Sequence, residues 1–180
     1  VTPRFPRSVS LHPFAPQDTG VVRALDVHLR EPVPGTLALR YVLEGDLSRL
    51  RTPPAREPRH TDELWRHTCF EMFARRTADG PAYLELNASP STEWALYTFD
   101  DYHTGMAPAR PARHPRIRVT RTAHRLEMEV RADLRDLPHA GPIALTAVIE
   151  DDRGRLGYWA LKHPSPRPDF HHPDGFLIGP

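Results

Sequence analysis

The residues best suited to chemistry lie in the stretch 62–106, DELWRHTCFEMFARRTADGPAYLELNASPSTEWALYTFDDYHTGM. Period-two alternation over 67–74 puts Cys69, Glu71 and Phe73 on one face of a strand and Phe70 and Met72 on the other. Glu71 is therefore hemmed in by apolar neighbours, where a carboxylate is costly unless paired or hydrogen-bonded. The next alternating run gathers Tyr83, Glu85 and Asn87 on one face. If the two strands pair, these polar side chains form a ligand-facing patch. The competing reading is an internal network in which Arg66 or Arg118 neutralises Glu71, since buried polar networks also serve to specify a fold. Without such a cation the Glu71 pKa rises, and Glu71, Glu85 and His163 around a pocket would suit an enzyme of unassigned chemistry.

The three tryptophans are Trp65, Trp94 and Trp159. Aromatic faces stack on the apolar CH patches of sugar rings, and the same side chains equally serve as sandwich core. The charged surroundings of Trp65 favour exposure. Trp159 shares a strand face with Leu161 and His163, which places it at the rim of a pocket. In the C-terminal YWALKHPSPRPDFHHPDGF, residues 158–176, His163, Asp169, His171 and His172 have metal-capable side chains, but their spacing matches no zinc signature. They read as hydrogen-bonding loop residues. A phosphate-cradling glycine loop, G-x-G-x-x-G and H-E-x-x-H are all missing. Carboxylate pairs such as Glu71 with Glu85 leave hydrolysis open, but nothing singles out a nucleophile with its base.

The elements that must hold these residues are strands. Leu25, Val27 and Leu29 alternate with Asp26, His28 and Arg30 within 22–31, and Leu37, Leu39, Tyr41 and Leu43 share a face within 36–45. Two more alternating runs occupy 115–122 and 124–131, the latter with one wet face as an antiparallel sheet allows. Residues 142–150 are apolar on both faces, as in a central strand covered on both sides. Turn-like segments fall at 51–58, 78–81, 107–115 and 151–154, and a helical turn capped by Asp133 is expected over 132–137. Nine or ten strands with little helix predict an all-β, immunoglobulin-like or jelly-roll-like sandwich of two antiparallel sheets, forming one domain over 1–180 with its core at about 10–178.

Composition narrows the function classes. The chain has 180 residues and a formal net charge of +1, which offers no broad attraction to nucleic acid or an anionic membrane. No run approaches the ~18 apolar residues of a membrane span. The prolines of Val1–Pro16 break the apolar run a signal peptide needs, so a cytoplasmic location is expected. Cys69 is the only cysteine, which excludes an internal disulfide and makes a poor nucleophile mid-strand. Lys162 is the only lysine; with 21 prolines and abundant arginine and alanine this suggests a GC-rich bacterial genome.

Taken in order, Leu64-Trp65, Cys69-Phe70-Glu71-Met72-Phe73, Tyr83-Leu84-Glu85-Leu86-Asn87, Trp94-Ala95-Leu96-Tyr97 and Tyr158-Trp159 resemble the DOMON-like superfamily. That superfamily includes the family 9 carbohydrate-binding modules. The chain is similar to bacterial DOMON-like proteins of unknown role, some fused to UDP-N-acetylenolpyruvoylglucosamine reductase, and the resemblance covers roughly residues 10–178. It implies an immunoglobulin-like sandwich whose sheet binds a sugar or a haem. In the sugar version Trp65 and Trp159 would clamp the ring, with Glu71 and Asn87 as hydroxyl partners. Relatives also hold structural calcium, though no acidic calcium loop is evident here. In the haem version the axial ligands would be Met106 with His163 or Lys162, Met72 reading as core. The expectation is a non-catalytic module for a small-molecule ligand, a carbohydrate or sugar-like metabolite. The alternatives are a b-type haem domain, a protein-interaction domain using an open sheet edge, or an enzyme.

Overall fold

A computed structural model describes residues 5–15, 20–137 and 139–179. The proline-rich start of the chain, read above for a signal peptide, lies partly outside these residues. Among the described residues there are thirteen strands: β1 (Arg7–Ser10), β2 (His12–Pro13), β3 (Val22–Val33), β4 (Thr36–Gly45), β5 (Leu50–Arg51), β6 (Cys69–Arg75), β7 (Tyr83–Ala88), β8 (Trp94–Phe99), β9 (Ala107–Pro108), β10 (Arg116–Arg121), β11 (Arg125–Asp133), β12 (Ile143–Asp151) and β13 (Leu156–Ala160). Three of these, β2, β5 and β9, are two residues long, which leaves the ten that alternation can reveal. They form two antiparallel sheets, ordered β1-β3-β4-β11-β10 and β2-β13-β12-β6-β7-β8-β9, with β5 on β12. The chain is thus an all-β sandwich, and among the described residues no helix is long and apolar enough to cross a membrane.

The faces follow from the period of two. Leu25, Val27 and Leu29 of β3, Leu37, Leu39, Tyr41 and Leu43 of β4, and Leu126, Met128 and Val130 of β11 all point into the core. They meet Phe70, Met72, Leu84, Leu86, Leu96, Leu145 and Ala147 from the other sheet. Burying each such side chain contributes roughly 1.5–3 kcal/mol. Tyr41 reaches across the core and donates its hydroxyl to the Glu71 carbonyl at 2.7 Å. This ties β6, the strand that carries Glu71, to the opposite sheet. Pro34 and Gly35 turn the β3–β4 hairpin; Gly35 has φ of 76°, and its N–H donates to Glu31 Oε1 at 2.8 Å.

The two outer faces differ. On the five-stranded sheet the outer residues form exposed ion pairs, such as Arg125 with Glu44 at 3.0 Å and with Glu127 at 2.7 Å, each worth little in water. On the larger sheet the outer face is itself covered. All of β7 and nearly all of β6 are buried, as is the whole of β12. The cover is made by the segment around 62–67, the loop 100–106 and the C-terminal segment 164–178. Ile178 continues where β13 stops, exchanging backbone hydrogen bonds of 2.9 and 3.0 Å with Ile143. The turn expected over 132–137 begins later than expected. β11 runs on to Asp133, and a single turn follows in which the Leu137 N–H donates to the Leu134 carbonyl at 2.9 Å and the Asp133 carboxylate caps it by accepting from the Arg135 N–H at 3.3 Å.

Candidate ligand-binding site

On the covered face of the larger sheet lies a cavity of about 930 Å³. That is near the top of the ~300–1,000 Å³ range of small-molecule sites. Glu71 and Glu85 line it from below, and Trp65, Phe99, Tyr102, Tyr158 and Phe170 supply aromatic surface around them. Register explains the floor. Glu71 on β6 faces Thr146 on β12 and Asn87 on β7, while Glu85 sits two residues from Asn87 on the same strand. The two glutamates are therefore diagonal neighbours, with backbones ~7–8 Å apart.

Both carboxyls are enclosed, Glu71 being 2% and Glu85 4% exposed. Glu71 Oε2 accepts from Thr146 Oγ1 at 3.1 Å, and Glu85 Oε1 accepts from Asn87 Nδ2 at 2.7 Å. Glu71 Oε1 and Glu85 Oε2 have no hydrogen-bond partner. Burial, and next the Glu85 carboxyl, push the Glu71 pKa well above the carboxylate range, against the bonds from Thr146 and Cys69. Burial pushes Glu85 up to about 7, against the bond from Asn87. The pair therefore retains protons at neutral pH that ordinary carboxyls lose.

His171 closes one side. Its Nδ1 lies 2.7 Å from the Tyr83 hydroxyl, and its Nε2 is 3.8 Å from Glu85 Oε2, too long for a hydrogen bond. The ring packs against Phe73, Phe99 and His103, with centroids 5.1, 5.1 and 4.2 Å away. Burial, then the neighbouring His103, lower its pKa to about 4, so the imidazole is neutral at pH 7. Asp169 fastens this wall to the loop 100–106: it accepts from the Tyr102 hydroxyl, lies 3.2 Å from His103 Nε2, and accepts from the His171 N–H at 3.1 Å. Gly105, at φ of 72°, allows that loop its reversal.

The opposite wall is Trp65, on a 3-10 turn spanning Leu64–Arg66. Leu64 is buried beneath it, Trp65 stands edge-on to Tyr97 at 6.1 Å, and the Tyr97 hydroxyl donates to Asp62 at 2.6 Å. The loop leading into this turn is pinned by buried Glu93, which accepts from Arg59 and Thr61 at 3.0 Å. Glu150, also buried, contacts Arg51 at 2.9 Å and His67 at 2.7 Å.

The fold has a solved counterpart. The crystal structure of a "putative carbohydrate-binding protein" from Bacteroides uniformis matches this chain with a TM-score of 0.71 and 10% sequence identity, covering 95% of this chain and 84% of that one. At such identity the likeness is one of fold. No family model matches the chain, and no curated protein does.

The cavity brings together Trp65, Arg66, Glu71, Glu85, Met106, Asp169 and His171 from among the residues singled out in the sequence. It does not include Trp159. That indole is 2% exposed and lies in the inter-sheet core, in register with small Ala147 on β12 and with Pro13 on β2. The alternation through Trp159 and Leu161 is as read, but its face is the core, and Tyr158 takes the pocket side. Asn87 is fully buried and orients Glu85 rather than lining the cavity. His163 bonds the His12 carbonyl at 2.9 Å and packs edge-on to Phe14, away from the cavity. Of the arginine partners considered for Glu71, Arg66 lines the cavity but pairs with Glu63 at 2.7 Å, and Arg118 belongs to β10 of the other sheet.

The haem ligands do not converge either. Met106 lines the cavity with 48% exposure, whereas Lys162 and His163 are not among its lining residues, so this set does not fit a haem. Among the described residues no group of three or more His, Cys, Asp or Glu side chains is placed to hold a metal ion. Tyr158 and Phe170 are site residues that the sequence did not single out, and His171 was expected only as a hydrogen-bonding loop residue. The only signal for Tyr158 was the alternation itself, and Phe170 and His171 lie in irregular chain without a period to read.

Proposed function

We propose that this chain is a non-catalytic module that binds a carbohydrate or sugar-like metabolite in the cavity above Glu71 and Glu85. One observation carries the reading: two enclosed carboxyls, each with an unpartnered oxygen, lie beneath several aromatic side chains in a cavity of small-molecule size. Aromatic faces suit the CH patches of a pyranose, and carboxyl groups suit its hydroxyls. The likeness in fold to a protein described as carbohydrate-binding supports it, as does the DOMON-like resemblance. Trp65 and Tyr158 take the place of the Trp65–Trp159 clamp.

The test is a titration of mono- and disaccharides followed by tryptophan fluorescence and calorimetry. Trp65→Ala and Tyr158→Ala are expected to weaken binding at least tenfold while both proteins keep the wild-type circular dichroism spectrum. Unchanged affinity in both folded variants would refute the site.

The diagonal carboxyls favour one second reading, glycoside hydrolysis. Two carboxyls on adjacent strands beneath one cavity, with Glu85 raised to about 7, are the acid–base pair such chemistry uses. Turnover of aryl glycosides that is lost in both Glu71→Gln and Glu85→Gln would establish it; no turnover across a broad glycoside panel would remove it.

A further inference from the structure

The buried carboxylates of this protein fall into two groups. Glu93 has Arg59 at 2.9 Å and Arg56 at 3.7 Å; Glu150 has Arg51 at 2.9 Å; Asp151 has Arg155 at 2.7 Å. Each of these lies where an arginine folds over it from a loop or strand end. Glu71 and Glu85 are the buried acids with no arginine or lysine within ion-pair distance among the described residues. They are also the two that line the large cavity. The nearest basic atom is His171 Nε2, 3.8 Å from Glu85 Oε2, and its ring already engages the Tyr83 hydroxyl.

A chain with so many arginines does not lack the means to neutralise a buried acid. Removing a carboxylate from water is costly, and elsewhere in this fold that cost is offset by a guanidinium. At the cavity no arginine or lysine among the described residues reaches the two acids, although Arg66 and Arg167 line it; the pair holds protons instead, and the oxygens a cation would meet, Glu71 Oε1 and Glu85 Oε2, have no partner. The walls add a second, independent feature. Trp65, Tyr158 and Phe170 surround the same space, and an aromatic face attracts a cation within about 6 Å of it. Acidic floor and aromatic walls together are the chemistry of an ammonium site, whereas a neutral sugar needs only hydroxyl partners.

We infer that the ligand supplies the missing cation: the cavity binds an amino sugar whose free, unacetylated ammonium group sits on Glu71 and Glu85 between the aromatic walls. This rests on the carbohydrate reading above and specifies the ligand's charge. An N-acetylated sugar would present an amide with no charge to the two acids. A charged hydrogen bond of this kind strengthens binding roughly ten- to a hundredfold over its neutral counterpart.

The test uses the wild-type chain and matched ligands: glucosamine, galactosamine and mannosamine, each beside its parent hexose and its N-acetyl form, with cyclohexylamine as a cationic ring that is not a sugar. Affinities are measured by calorimetry near pH 7, where the amines are charged and a bound cation can displace the proton of Glu85. The expected result is that at least one amino sugar binds ten- to a hundredfold tighter than both its parent and its N-acetyl form, and that Glu85→Gln erases most of this preference. If a parent or N-acetyl sugar binds as tightly as its amine, the inference is overturned and the carbohydrate reading stands. If cyclohexylamine binds as tightly as every amino sugar, the ammonium site stands and the carbohydrate reading fails. If nothing in the panel binds, both are overturned.

Discussion

Replacing Glu85 or His171 should reveal two opposing pH dependences of stability. Glu85 has a folded pKa of about 7 against an ordinary 4.5. Below pH 4.5 it is protonated in both states, and as pH rises the unfolded chain ionises first. Stability is therefore lost between pH 4.5 and 7, by about 3 kcal/mol in total. His171 does the reverse. Its folded pKa is about 4 against 6.5, so the unfolded chain takes up the proton first on acidification. Stability is gained as pH rises from 4 to 6.5, again by about 3 kcal/mol. In the wild type the two slopes oppose each other. Glu85→Gln leaves the histidine slope, so the variant gains stability relative to wild type as pH rises from 4.5 to 7. His171→Gln leaves the glutamate slope and loses stability relative to wild type from pH 4 to 6.5. Urea midpoints at half-unit steps from pH 4 to 8 measure both, and at ~2 kcal/mol/M the differences amount to roughly 1–2 M. Comparing each variant with wild type cancels the groups that neither side chain touches; Glu71, which the Glu85 carboxyl holds up, titrates lower in Glu85→Gln and adds to that variant's gain. Midpoint profiles that run parallel to wild type in both variants would refute the protonation states assigned to the cavity floor.

Three further outcomes test other parts of the structure. Trp159→Ala, in the inter-sheet core, should cost roughly 3–5 kcal/mol and lower the melting temperature by ~2–4 °C per kcal/mol; a melt unchanged from wild type would return this indole to the surface. Glu93→Ala should cost roughly 2–3 kcal/mol and free the 51–61 loop from Arg59 and Thr61, so that proteases cut there sooner; equal cleavage rates would show that other contacts hold the loop. Cys69 is fully buried, and burial, then Glu71 and Glu85, push its thiol well above the ordinary range. It should react with a disulfide reagent only after unfolding in urea, and rapid labelling of the native protein would contradict its placement.

Much of the fold was legible in the chain because strands write a local code. Alternation in 22–31, 36–45 and 124–131 marked core-facing residues correctly, since neighbouring side chains on a strand must point to opposite sides. The continuous apolar run of 142–150 correctly marked a strand covered on both faces. The enclosure of Glu71 was legible for the same reason. Alternation tells which residues share a face but not which face is the core. Where both faces are apolar and aromatic, as at Tyr158 and Trp159, the local code is silent. The choice is made by what packs on each side: Ala147 and Pro13 leave room for the larger indole between the sheets. Whether Glu71 has an arginine was likewise undecidable locally, because Arg66 and Arg118 are near in sequence or composition but are directed elsewhere by the turn and the other sheet. Phe170 and His171 reach the cavity through irregular chain held by Asp169, Tyr102 and Tyr83, contacts 66 to 88 residues apart in sequence. The sequence alone therefore determined the sandwich and placed both acidic floor residues, Glu71 and Glu85, on one face of neighbouring strands. Tertiary packing decided what covers that floor and that no arginine or lysine among the described residues pairs with it, because those are properties of segments that meet only when the chain has folded.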